Sequence, residues 1–130
     1  MSTAEYVEAW SVQILNKHCN QKEFDSGATD HMAETFRSVH EGLPKTRTRA
    51  QHVDSLQKHY LANPDFHLEI VNCSSEVDEA RGKATVYLFF KLTGLANTAR
   101  EAVGLLEWEK KHGGWLCVKH TGLRGPAGFA

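Results

Sequence analysis

The sequence predicts an α+β fold in which a curved antiparallel sheet wraps on helices and forms a cone-shaped cavity. Two segments carry apolar residues at helical spacing, and the others have the alternation or the β-branched content of strands. The predicted order is helix, strand, helix and then four sequential antiparallel strands. A chain of 130 residues buries about two-thirds of its unfolded surface, so we expect a single domain over residues 1–130.

The first helix is predicted to begin after Ser2, because Ser2 and Glu5 have the spacing of a capping box. Apolar residues then recur at three- and four-residue steps to about Gln21. The next segment, residues 24–33, is rich in turn formers and predicts a loop or a short irregular helix. Residues 35–40 alternate and predict a short strand that ends in a turn at 41–44.

The second helix is predicted between a second capping-box spacing, Thr48 to Gln51, and the stop signal at Asn63-Pro64. Val53, Leu56 and Tyr60 follow the cap at helical steps, so we expect them to face the core. The remaining chain predicts strands, turns and a loose tail. The strands cover 66–71, 83–93, 100–110 and 115–121, with turns at 79–82 and 111–114, a loop at 93–99 and the tail at 122–130.

Composition excludes several classes of partner. Fifteen basic and 16 acidic residues give a formal charge of -1, so we expect no nucleic-acid partner and no anionic membrane partner. The longest apolar run, residues 86–90, is too short to cross a bilayer. The first residues lack a basic patch followed by an apolar stretch, so we expect a cytoplasmic protein.

Cysteine and histidine spacing predicts neither a disulfide framework nor a metal site. The three cysteines lie far apart in an odd number, which favours buried free thiols. The eight histidines include neither an HExxH nor a His-x-His spacing, so we expect no metal and no cofactor. Histidine is nevertheless the side chain that titrates nearest neutrality, which makes it the first candidate for chemistry.

Four local features resemble one known superfamily. They are the capped first helix, the helix-to-strand junction Asn63-Pro64-Asp65-Phe66, the turn Val77-Asp78-Glu79 and the hairpin Gly113-Gly114-Trp115. Together they resemble the nuclear transport factor 2-like superfamily, and the chain is most similar to SnoaL-like small proteins of fungal type. This resemblance spans nearly the whole chain and implies the cavity-forming fold. It also implies activities such as cyclisation, isomerisation or dehydration in secondary metabolism.

The resemblance also indicates which chemistry is missing. Ketosteroid isomerases of this superfamily use a tyrosine and two aspartates, and the matching turns place Ile14, Ser38 and Leu106 at about those positions. That chemistry is therefore absent here. Members similar to scytalone dehydratase use a histidine pair with an aspartate and tyrosines in the cavity. Histidines are available in this chain, but no motif match assigns them to those positions one to one.

Strand parity brings His40 and His120 to the predicted core face. The first strand groups Phe36, Ser38 and His40, and the last groups Leu116 and Val118 with His120. We predict that His40 and His120 act as general base and acid. The alternative is that each is a structural histidine, either partly exposed at a strand end or bonded to a backbone carbonyl.

Apolar and aromatic side chains on the same faces are predicted to bind a hydrophobic small molecule, although ordinary core packing explains each one equally well. His18 joins them at the end of the first helix, where the helix dipole alone also favours a histidine. The predicted substrate-binding residues are Trp10, Ile14, His18, Phe36, Tyr60, Leu88, Phe90, Leu106 and Trp108.

The opposite sheet face also carries apolar residues, which are costly to leave in water. We therefore predict a homodimer through this outer face, which is formed by Tyr87, Phe89, Val103 and Leu105.

Two functional hypotheses follow from the sequence. The first is a small cofactor-independent isomerase, cyclase or dehydratase that acts on an aromatic, polyketide-like or terpenoid-like metabolite. The second is a non-catalytic ligand-binding or protein-interaction module, which needs the cavity and the dimer face but no titrating pair.

Overall fold

The computed structural model describes residues 1–24, 27–40, 43–95 and 98–127. Two α-helices, a π turn, a 3-10 turn and five strands form an α+β architecture with one five-stranded sheet. The elements are α1 (Thr3–Leu15), the π turn (Asn16–Asn20), the 3-10 turn (Thr29–His31), β1 (Met32–His40), α2 (Arg49–Ala62), β2 (His67–Asp78), β3 (Lys83–Leu95), β4 (Thr98–Lys111) and β5 (Gly114–Ala127).

The predicted cap of α1 is present. The Ser2 hydroxyl accepts from the Glu5 backbone N–H at 3.1 Å, and the Glu5 carboxylate accepts from the Ser2 N–H at 3.4 Å. The helix continues directly into the π turn, so helical structure reaches Asn20, close to the predicted end at Gln21.

The start of α2 differs in detail from the prediction. The Thr48 hydroxyl accepts from the Gln51 N–H at 3.1 Å, but the Gln51 side chain accepts from Arg47 and not from Thr48. The buried face of α2 is formed by His52, Leu56 and Tyr60, whereas the predicted core residue Val53 is only half-buried. His52 lies one turn before Leu56 on the same face, and its burial was not predicted from the sequence.

The sheet is mixed and not purely antiparallel, because β1 lies parallel to β5. The strand order is β1-β5-β4-β3-β2, and the four later strands form the predicted antiparallel meander. The parallel pairing places Ser38 opposite His120, and His40 opposite Gly122. Hydrophobic alternation specifies which face of a strand is buried but does not specify the direction of its neighbour, so this error has a simple cause.

Several strands extend beyond their predicted limits. β1 begins at Met32, inside the predicted loop 24–33, and β2 continues through Val77 and Asp78, which were predicted to turn. β3 and β4 reach into the predicted loop 93–99, and β5 includes the predicted tail as far as Ala127. Pairing between strands, such as Arg100 with Ala127, satisfies the backbone hydrogen-bonding groups of these segments. This pairing extends the strands although glycine and proline residues there predict a loop or a loose tail.

The predicted turn at 79–82 and the hairpin turn before β5 are present. Parts of the predicted turn 41–44, loop 93–99 and tail 122–130 lie outside the described residues, namely positions 41–42, 96–97 and 128–130.

A bulge changes the predicted facing of β5. Trp108 pairs with Cys117 and Glu107 pairs with Lys119, so Val118 is the extra residue. Consequently Cys117 faces the core, whereas Leu116 and Val118 are only half-buried. The bulge then restores the predicted inward position of His120.

The core lies between the helices and the inner face of the sheet. Trp108 is its largest fully buried side chain, and its indole N–H donates to the buried hydroxyl of Ser11 at 2.9 Å. This hydrogen bond joins β4 to α1. Within the part of the chain that the structure describes, no helix has the length and apolar character needed to span a bilayer.

Candidate functional site

A pocket opens between α1, α2 and the inner face of the sheet, with a cavity volume of about 90 Å³. Most of its wall is apolar, and five of the eight histidines contribute to it. The lining residues include His18, His40, His52, His59 and His120, with Ile14, Phe36, Tyr60, Phe90 and Leu106 among the apolar ones.

His40 and His120 form a direct pair at this pocket. The His40 Nε2 atom lies 3.0 Å from His120 Nδ1, and the ring planes meet at 85°. One of these two nitrogens donates its N–H and the other accepts, so the contact is a single hydrogen bond. The parallel register of β1 and β5 allows this contact, because it pairs His40 with Gly122, two residues after His120, so that the two histidines are diagonal neighbours on adjacent strands.

Two glycines make room for this pair. A β-carbon at Gly104 would lie 2.6 Å from Phe90 Cζ and 3.0 Å from His120 Nε2, and one at Gly122 would collide with His40 Cδ2. Neither glycine has a positive φ, so glycine is required at these positions by the lack of space for a side chain and not by the backbone conformation. A glycine inside a strand often marks such a close approach, and this signal was available in the sequence.

Burial keeps His18, His52 and His120 neutral at pH 7. It lowers the pKa of His18 to about 4 and, with smaller contributions from His40 and His18, the pKa of His52 to about 3. Burial also lowers the pKa of His120 well below its usual value, and the neighbouring His40 and His52 add to this effect. A positive charge is costly in an apolar cavity, and more so beside another histidine, which explains why the pKa of all three histidines is lowered.

Two buried imidazole nitrogens at this site have no hydrogen-bond partner among the described residues. They are His18 Nδ1 and His120 Nε2. Buried polar atoms are normally paired, so each of these nitrogens has unused hydrogen-bonding capacity.

No protein-family model and no curated protein matches the sequence. Solved structures do match over nearly the full length. An uncharacterised cystatin-like-fold protein from Caulobacter vibrioides has a TM-score of 0.80 at 14% identity, covering 94% of this chain and 89% of that one. An NTF2-like protein with a cystatin-like fold from Novosphingobium aromaticivorans has a TM-score of 0.67 at 12% identity, covering 91% and 79%. The LinA-type3 hexachlorocyclohexane dehydrochlorinase from Novosphingobium barchaimii has a TM-score of 0.75 at 17% identity, covering 94% and 85%.

The chain has the cystatin-like fold of NTF2-like proteins. The α+β class inferred from the sequence is thereby confirmed, and so is the resemblance at the level of the fold. At these identities the likeness describes the architecture of this chain and not its chemistry.

The NTF2-like fold brings most of the predicted site residues to one pocket. His40 and His120 line it together with Ile14, His18, Phe36, Tyr60, Phe90 and Leu106. Three others are absent from its lining. Trp10 stacks on His31 with 3.6 Å between ring centroids, and Leu88 and Trp108 are packed inside the core.

Sequence reasoning missed His52 and His59, which α2 presents to the pocket. His52 packs against Phe36 with ring centroids 4.7 Å apart, and it lies 5.9 Å from the ring of His40. The available signal was the spacing of His52 from Leu56 and Tyr60, which puts all three on one helix face.

A second polar contact lies in the pocket wall. The Tyr60 hydroxyl donates to Cys19 Sγ at 2.9 Å, and both groups are buried. Burial raises the pKa of Cys19 to about 11, which leaves it almost entirely as the thiol at pH 7. This thiol is therefore not an activated nucleophile.

No group of three His, Cys, Asp or Glu side chains within the described ranges is arranged to hold a metal ion. Burial raises the pKa of both Cys19 and Tyr60, so the lining groups suited to proton transfer near neutral pH are the imidazoles.

Proposed function

We propose that this protein is a small acid–base enzyme that moves a proton on an apolar ligand, as an isomerase, cyclase or dehydratase does. The observation that carries the proposal is the His40–His120 hydrogen bond of 3.0 Å at an apolar pocket. An imidazole can both take and return a proton, and general acid–base catalysis of this kind contributes about 10²- to 10⁴-fold.

The proposed base is His120 Nε2. With its proton on Nδ1, His120 donates to His40 Nε2, and its own Nε2 carries a lone pair. That lone pair takes a proton from a substrate carbon, and the C–H electron pair forms a double bond. In an isomerisation an existing double bond of the substrate breaks, and its electron pair takes the proton back from Nε2 at another substrate atom. In a dehydration it leaves with the departing hydroxide as water.

His40 is proposed to stabilise the charged intermediate state of His120. When Nε2 takes the proton, the imidazolium strengthens its Nδ1–H bond to His40, because hydrogen bonds from a charged donor are the stronger kind. The lowered pKa of His120 keeps the base neutral at pH 7 and makes its protonated form a stronger acid than an ordinary imidazolium. This combination favours rapid return of the proton.

Cavity size narrows the substrate classes. A volume of about 90 Å³ is well below the roughly 300–1,000 Å³ of sites for drug-sized ligands. Among aromatic, polyketide-like and terpenoid-like metabolites, the cavity therefore favours one small ring. The dehydrochlorinase named above provides a structural neighbour whose name describes an elimination, which supports proton abstraction as the reaction type.

Exchange of carbon-bound hydrogen tests this proposal directly. Small cyclic enones and hydroxyketones are incubated with the protein in D₂O, and loss of the proton signal at the acidic carbon is followed by NMR. We expect exchange with the wild-type protein and at least a 100-fold loss with His120→Gln. We expect a smaller loss with His40→Gln, because His40 acts through His120.

The matched control is His67→Gln, because His67 is an exposed histidine on β2. It should exchange at the wild-type rate. Exchange that persists in His120→Gln would contradict the proposal. Ligands that bind to the wild type without any exchange would favour the non-catalytic binding module instead.

The cellular setting belongs to the same proposal. Cys19, Cys73 and Cys117 are all free thiols, which suits a reducing compartment such as the cytoplasm. We further propose that the protein is a SnoaL-like enzyme of fungal type in secondary metabolism. The capped first helix, the junction Asn63-Pro64-Asp65-Phe66 and the hairpin Gly113-Gly114-Trp115 support this proposal. No cofactor takes part in the proposed reaction.

A further inference from the structure

His18 is a pocket residue that the proposed reaction does not use. It lies in the π turn after α1, it is 1% exposed, and its ring stacks on Phe24 with centroids 5.4 Å apart. Its Nε2 atom is 3.0 Å from the Thr29 hydroxyl, which holds the ring at the pocket wall.

The hydrogen-bond network specifies which nitrogen of His18 carries the proton. The Thr29 hydroxyl donates to the backbone carbonyl of Phe24 at 2.9 Å. A carbonyl only accepts, so the single hydroxyl hydrogen of Thr29 is used there. Towards His18 the hydroxyl oxygen can only accept, and His18 Nε2 must therefore be the donor. Because the imidazole is neutral, Nδ1 carries a lone pair and no proton.

This lone pair lacks a partner. His18 Nδ1 is buried and makes no hydrogen bond to any described residue. Buried acceptors without a partner are uncommon because losing hydration costs free energy. The arrangement resembles a catalytic histidine in which a third group holds one nitrogen and leaves the other for the ligand.

We propose that His18 Nδ1 accepts a hydrogen bond from a hydroxyl group of the ligand, so that the pocket selects a small hydroxylated ring over the ring without a donor. The inference deepens the proposed function, since it takes the same pocket as the ligand site. His18 is a specificity-determining residue in this view, and Thr29 is a positioning residue that sets its tautomer.

Binding of phenol and toluene tests the proposal, because the two molecules differ only in a hydroxyl and a methyl group. Dissociation constants are measured by NMR titration or calorimetry for the wild type, His18→Leu and Thr29→Val. We expect the wild type to prefer phenol. We expect His18→Leu to shift the phenol-to-toluene ratio by about tenfold towards toluene, with toluene binding retained. Thr29→Val should shift the ratio in the same direction by a smaller factor.

The control for the binding test is His67→Leu, which makes the same substitution at an exposed position and should leave the ratio unchanged. An unchanged ratio in His18→Leu would overturn the proposal, since a water molecule would then satisfy Nδ1.

A spectroscopic measurement on the wild type does not depend on a folded variant. Imidazole ¹⁵N chemical shifts distinguish a protonated nitrogen from a bare one. We expect His18 to carry its proton on Nε2, with Nδ1 bare. A proton on Nδ1 would overturn the proposal.

The experiments can contradict the proposed role of His18 without contradicting the proposed catalytic pair, and the reverse. Loss of the phenol preference in His18→Leu with unchanged exchange in His120→Gln would support the binding role of His18 and contradict the catalytic pair. The reverse pattern would support the pair and contradict the role of His18.

Discussion

The ring of His40 occupies the space that a β-carbon on Gly122 would fill. The two residues face each other across the parallel pairing of β1 with β5, two positions after Ser38 meets His120. Because the ring lies over a residue without a side chain, it can reach sideways to His120. The histidine pair therefore depends on the glycine as much as on either histidine.

Gly122→Ala should displace His40 and break its hydrogen bond to His120. Overpacking of this kind costs about 1–3 kcal/mol in the free energy of unfolding, measured by urea denaturation. Deuterium exchange into substrate should fall at the same time. The matched control is Gly114→Ala in the same strand, where the nearest neighbour of the new β-carbon is the Lys111 carbonyl at 4.0 Å. Equal stability of the two variants would contradict this account.

Stability should fall as the pH is lowered from 7.5 to about 4.5. The folded pKa values of His18 and His52 are about 4 and about 3, below the unfolded value near 6.5. In this window the unfolded chain binds protons that the folded chain does not, so acid favours unfolding. Each histidine contributes a slope of up to about 1.4 kcal/mol per pH unit.

Urea denaturation across that pH range measures the slope. His52→Gln removes one of the titrating groups and should flatten it, whereas His67→Gln at an exposed site should not. A free energy of unfolding that is the same at pH 7.5 and pH 5 would show that these histidines are not buried as described.

Thiol labelling should separate the three cysteines. Cys73 is half-buried, whereas Cys19 and Cys117 are buried, and burial raises the pKa of all three. Ellman's reagent should therefore label one thiol slowly in the native protein and three in denaturant. Cys73→Ser should abolish the native reaction. Fast labelling of Cys19 would contradict the closed wall around Tyr60.

Ser11→Ala should destabilise the protein by about 1–3 kcal/mol, because it leaves the buried indole N–H of Trp108 without its partner. The exposed substitution Ser74→Ala is the control and should change little. In a Trp108→Phe background the loss of the Ser11 hydroxyl should cost much less. An equal cost in both backgrounds would show that the hydrogen bond is not the reason.

We propose that two copies of the chain associate through the outer face defined above. Phe89 belongs to this face and is 48% exposed, and it pairs with Val103 on the neighbouring strand. Burying the face therefore removes apolar surface from water. Analytical ultracentrifugation at micromolar concentration should find a dimer, and Phe89→Glu should give a monomer. His67→Gln, away from these four residues, should remain a dimer. A monomeric wild type would contradict the proposal.

Local sequence patterns predicted the helices well because their causes are local. Capping residues and three- to four-residue spacing act within a few positions, and α1 and α2 lie close to their predicted limits. The hairpin turn before β5 has the same origin. The predicted strand ends were less accurate, since ladder partners far along the chain lengthened β3, β4 and β5.

Residue type and strand parity, both read from the sequence, selected His40 and His120 as candidates. The parity used for His120 assumed that Leu116 and Val118 face inward, and the bulge at Val118 shows why that assumption was wrong. Trp10, Leu88 and Trp108 were predicted at the ligand site but do not line the pocket. The sequence pattern of an inward-facing apolar residue is identical whether the residue lines a cavity or fills the core.

The sequence by itself determined the helices, the alternation of buried and exposed residues in the strands, and the presence of eight histidines, whose usual pKa lies near neutral pH. Only the tertiary structure decided that β1 lies parallel to β5, that His40 contacts His120, and that His18 Nδ1 has no hydrogen-bond partner among the described residues. The physical reason is distance along the chain. Capping and periodicity act between neighbours, whereas the His40–His120 contact joins residues 80 positions apart and depends on strand register and on the space above two glycines.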